Sequence, residues 1–134
     1  MKTVARWAPL CALVWMVAAA PAFGQGAYNK ALFETAMEDA MKTTRVLLGA
    51  LIGGDWGKAQ TEAASLAGHA KKIRGLTPKV GADDIAGFQA HADSLGSRAT
   101  RLVGAAKAHD AGRAAALYGS AISSCMDCHR VFRK

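Results

Sequence analysis

The chain has 134 residues, 17 of them lysine or arginine and 10 aspartate or glutamate, with 51% hydrophobic and only 7% aromatic residues. That length excludes a large multidomain protein, and three cysteines exclude a framework of several disulfides. A net charge of +7 with no stripe of basic and aromatic residues gives no signature of nucleic-acid binding.

The first 24 residues read as a secretory signal. Lys2 and Arg6 make a short basic region, Trp7 to Ala20 is apolar, and Ala22-Phe23-Gly24 places small residues at a cleavage site. The apolar run is too short for a confident membrane span, so no stable membrane insertion is expected once residues 1–24 are removed. Cys11 leaves with that segment. The mature chain, residues 25–134, also loses Lys2 and Arg6, which leaves 15 basic residues against 10 acidic.

Four helices are predicted in the mature chain. The first runs from about Asn29 to Ile52, with Met37, Ala40, Met41, Thr44, Leu47, Leu48 and Leu51 on its inner face. Gly53-Gly54 stops it, and Asp55 is placed to cap the second. Trp56, Ala59, Ala63, Leu66, Ala70 and Ile73 recur at helical spacing there, until Gly75 to Gly81, with Pro78 inside, breaks the pattern. In the third helix, Ile85, Phe88, Ala92, Leu95, Ala99, Leu102 and Ala106 alternate by three and four, the seam of bundle packing. Asp83 or Asp84 can cap its start. His109-Asp110 turns into a last helix whose stripe carries Ala114, Tyr118, Ala121 or Ile122, Cys125, Cys128 or His129, and Phe132. Short connections make neighbours antiparallel, so the expected fold is all-α, an up-down-up-down four-helix bundle.

The chemistry is concentrated in Cys125-Met126-Asp127-Cys128-His129, a C-x-x-C-H sequence of the kind that attaches haem c. Positions i, i+3 and i+4 share one helix face, so both thiols can reach haem vinyl groups while His129 approaches the iron. A dithiol redox motif would be expected near a βαβ pattern, and no strand is predicted. A structural zinc site needs four ligands, and an iron–sulfur cluster normally four thiolates. The mature chain offers neither set.

A bundle with this motif in its fourth helix resembles the class II cytochromes c, the cytochrome c′ family, in a low-spin-like form. The likeness continues through Arg130-Val131-Phe132-Arg133, which fits that family's aromatic-then-basic ending. It implies one haem c per chain, bound through Cys125 and Cys128, with His129 as proximal iron ligand. In the family the first helix faces the other side of the iron, with a methionine in low-spin members and a non-ligating apolar side chain in gas-binding ones. Met37 is the preferred distal ligand here and Met41 the second choice, since ligation by Met41 would push Arg45 toward the core. The family often has an arginine one turn before the ligand position, near the propionates. This chain has Phe33 there, and Lys30 is the nearest basic residue upstream.

Met on an apolar stripe also serves plain packing. Of the other histidines, His69 is a reserve iron ligand, His91 is expected at the surface, and His109 suits a helix C-terminus. The resulting expectation is a periplasmic electron-transfer protein and not an enzyme, with His/Met-ligated haem. The alternative is five-coordinate binding of nitric oxide or carbon monoxide. The positive charge suits acidic redox partner proteins, and a homodimer through outer helix faces is a further expectation from the resemblance.

Overall fold

The computed structural model describes residues 26–133. The signal segment expected over residues 1–24 lies outside those residues. Four helices follow in order: α1 (Lys30–Gly53), α2 (Trp56–Arg74), α3 (Ile85–Lys107) and α4 (Ala111–Phe132). No strand occurs among the described residues. The all-α four-helix bundle expected from the sequence is the fold found.

Each helix begins where a short polar side chain can bind an orphan backbone N–H. Asn29 accepts from the Leu32 N–H at 3.1 Å, Asp55 from Lys58 at 3.0 Å, Asp84 from Gly87 at 2.9 Å and Asp110 from Arg113 at 2.9 Å. Caps of this kind contribute about 1 kcal/mol each. Gly54 ends α1 in the left-handed region, φ 69°, and donates to the Ala50 and Leu51 carbonyls. α1 thus starts and stops within one residue of expectation, and Asp84, not Asp83, caps α3.

Packing follows chain order: α1 on α2, α2 on α3, α3 on α4. The seams of α2 and α3 are those the sequence predicts, with Ala59, Ala63, Leu66, Ala70 and Ile73 meeting Phe88, Ala92, Leu95, Ala99, Leu102 and Ala106 in the core. α2 and α3 meet closely at Gly96, where a Cβ would just touch that of Ala70 at 3.4 Å. α4 presents two stripes. Ala114, Leu117, Ala121 and Ser124 are buried, while Tyr118, Ile122, Cys125 and His129 are half-buried on an adjacent face.

The fourth side of the square is different, because α1 and α4 barely touch. This corrects the expected face of α1. Its buried residues are Ala40, Thr43, Leu47 and Ala50, whereas Met41 and Leu48 are 51% and 40% exposed. The helix leans its small residues onto α2 and turns Met37 and Thr44 toward an opening instead of a neighbouring helix. An apolar stripe looks the same in sequence whether it faces a helix or a cavity.

Candidate haem cavity

The opening between α1 and α4 is a cavity of about 710 Å³, within the roughly 300–1,000 Å³ common for ligand and cofactor sites. Met37 and Met41 line it from α1, Phe88, His91 and Leu95 from α3, and Tyr118, Cys125, Cys128 and His129 from α4. All five side chains singled out by the sequence therefore border one space. Met37 is half-buried and packs against the core, while Met41, exposed by more than half, lies at the rim.

Helix α4 produces the proximal half by spacing alone. Tyr118, Ile122, Cys125 and His129 follow one another by three or four residues, and Cys128 flanks them. Both thiols are free. Burial raises the Cys125 thiol above its ordinary value, and burial together with Cys125 pushes Cys128 up to about 11. Burial thus favours the protonated thiol at both positions before attachment. Burial, then the Arg133 guanidinium, lowers the basicity of His129. Both favour the neutral imidazole, the form that binds metals. Tyr118, whose acidity burial weakens, donates from its hydroxyl to the Thr44 carbonyl at 3.3 Å, one of the few links between α4 and α1.

A chain of rings lines the cavity. Tyr28 meets Phe33 at 5.9 Å, Phe33 meets Phe88 at 6.0 Å, and Phe88 meets Phe132 edge-on at 5.4 Å. His91 packs edge-on against Phe132 at 6.0 Å and lines the cavity, so it is not the surface residue its position suggested. His91 sits three residues after Phe88 and one before Ala92, flanking the α3 seam, which is the signal that could have placed it. His69 does not reach the cavity. Its Nε2 lies 3.1 Å from the Thr43 hydroxyl between α2 and α1, and its buried Nδ1 has no partner. His109, at φ 52°, stacks on Trp56 with centroids 5.6 Å apart.

The donor set fits a flat, apolar, iron-bearing macrocycle. Two thiols and an imidazole lie along one wall of a cavity floored by aliphatic and aromatic side chains, with thioethers offered from α1. No three His, Cys, Asp or Glu side chains among the described residues converge as a cage for a bare metal ion.

Fold and cavity together define a four-helix bundle built around a haem-sized site with a haem c attachment sequence. The family model described as Cytochrome C' matches residues 16–133, and the chain belongs to that family. It is therefore a haem c-binding protein of electron transfer or gas binding. No curated protein and no solved structure gives a significant match. No helix among the described residues is long and apolar enough to cross a membrane.

Proposed function

We propose that the protein is a periplasmic electron carrier holding one haem c, with His129 and Met37 as axial ligands. The observation that carries this reading is that Met37, from α1, and His129, from α4, border the same cavity across the gap where those helices part. Cys125 and Cys128 would hold the haem, each thiol adding across one vinyl group to form a thioether. When bound, the haem supplies a one-electron Fe(III)/Fe(II) couple, and Met/His ligation raises its potential.

The chain's own residues do the rest. His129, whose neutral form burial and Arg133 favour, would offer a ring nitrogen to the iron. Met37, anchored against the core, fills the distal side and excludes water, whereas Met41 is left at the rim. Excess positive charge supports acidic redox partners. Leu48 and Ile52, 40% and 79% exposed on the outer side of α1, support self-association.

A second reading draws on the same packing of Met37 into the core: the thioether stays with its apolar neighbours and the distal side is open to nitric oxide or carbon monoxide. Carbon monoxide added stoichiometrically to the ferrous holoprotein separates the two. The carrier leaves the spectrum unchanged; full conversion to a carbonyl adduct supports the gas-binding form.

A further inference from the structure

Resting on the haem reading above, we propose that Lys79 and His91 form a carboxylate seat that takes the two haem propionates, in place of a basic residue on α1. Haem brings two carboxylates into a cavity that is otherwise apolar, and buried carboxylates require cationic or hydrogen-bonding partners. The ionisable groups bordering the cavity divide by element. The segment before α1 contributes Tyr28, α1 Glu34, Glu38 and Arg45, the α2–α3 loop Lys79, and α3 His91; α2 contributes none. On α4 and its end stand Tyr118, the two thiols, His129 and Arg133.

The alternatives fall one at a time. Lys30 does not border the cavity and pairs with Glu34 at 3.8 Å. Phe33 is committed to the ring cluster against Tyr28 and Phe88. Arg45 is twelve residues beyond Phe33, roughly 18 Å further along the helix at 1.5 Å per residue. Arg133 is the exposed C-cap residue of α4, four residues after His129 on the wall that carries the attachment motif. Glu34 and Glu38 repel carboxylates from the α1 wall.

Lys79 and His91 remain, and one side chain brings them together. Phe132 holds His91 at 6.0 Å, and it also seats the loop that carries Lys79. Gly81 lies so close that a Cβ there would be 2.8 Å from the Phe132 ring. Pro78, fully buried, anchors the same loop from the other side of Lys79. Neither Lys79 nor His91 has a hydrogen-bond or ion-pair partner among the described residues; the ion pairs there use Lys30, Arg74 and Arg130. An ammonium and an imidazole thus border the cavity from two elements that both pack on Phe132, matched in number to two carboxylates.

The test uses the holoprotein. Resonance Raman spectra should show the propionate bending bands displaced in Lys79→Gln and in His91→Gln, restored in Lys79→Arg, and unchanged in Arg45→Gln. In the wild-type protein, nuclear Overhauser contacts from the propionate methylenes should reach Lys79, Val80 and His91. Bands unmoved in the first two variants, or displaced in Arg45→Gln, overturn the proposal. So do wild-type contacts to Glu38 or Arg45, which decide the matter even if a variant fails to mature. A denatured chain that releases its haem, or never had one, overturns the haem reading itself, and the seat with it.

Discussion

Gly81 is the position where backbone and packing demands coincide, and substituting it separates them. Gly81 and Gly54 both have φ +69°, yet nothing lies within 4 Å of where a Gly54 Cβ would stand, whereas a Gly81 Cβ meets two Phe132 ring atoms at 2.8 Å. Gly54→Ala therefore costs only the left-handed conformation, about 1–2 kcal/mol. Gly81→Ala carries that cost plus overpacking of a core ring, roughly a further 1–3 kcal/mol. In a domain of about 100 residues the excess corresponds to a melting temperature lower by on the order of 5–20 °C. Circular dichroism melts of both holoprotein variants measure it, and Gly81→Ala with Phe132→Leu should recover part of the excess. Equal losses in the two single variants would refute a loop pressed onto Phe132, and would remove the anchor that places Lys79.

Replacing Cys125 or Cys128 by alanine should leave one thioether, and the double variant should lose all haem on denaturation; retained haem, read by absorbance of the denatured chain, would contradict attachment there. Thr43→Val keeps the shape but leaves His69 Nε2 unpartnered beside an already orphaned Nδ1. It should cost about 1–3 kcal/mol in denaturant unfolding, and an unchanged midpoint would show that this pair is not buried as described. In haem-free protein the Cys128 thiol, pushed from 9.0 to about 11, should alkylate slowly at neutral pH and roughly tenfold faster per pH unit until near that value. Because the folded chain binds the thiol proton more tightly than the unfolded chain, haem-free stability should fall as pH rises from about 9 to about 11. Alkylation at the rate of the unfolded chain would mean the thiol is not buried.

The α3 seam was legible because its residues meet helices on both sides, so periodicity and burial coincide from Phe88 to Ala106. The caps at Asp55 and Asp84 were equally plain, since each acts within four residues of itself. The attachment motif declares its chemistry by spacing alone. α1 was harder to read. Met37, Met41 and Leu48 share an apolar stripe, but one borders a cavity deep in the bundle, one its rim and one the solvent. Period alone does not distinguish a helix from a macrocycle as the partner of such a stripe. Lys79 and His91 were hidden for another reason. Their approach depends on a loop seated by Gly81 on Phe132, a contact spanning about fifty residues, which local pattern does not encode.

The ferric absorption spectrum of the purified holoprotein, wild type beside Met37→Ala and Met41→Ala, tests the central claim most directly. Ligation by His129 and Met37 predicts a low-spin spectrum with a methionine–iron charge-transfer band, kept in Met41→Ala and abolished in Met37→Ala. A high-spin wild-type spectrum, or a band that disappears with Met41 instead, would contradict it.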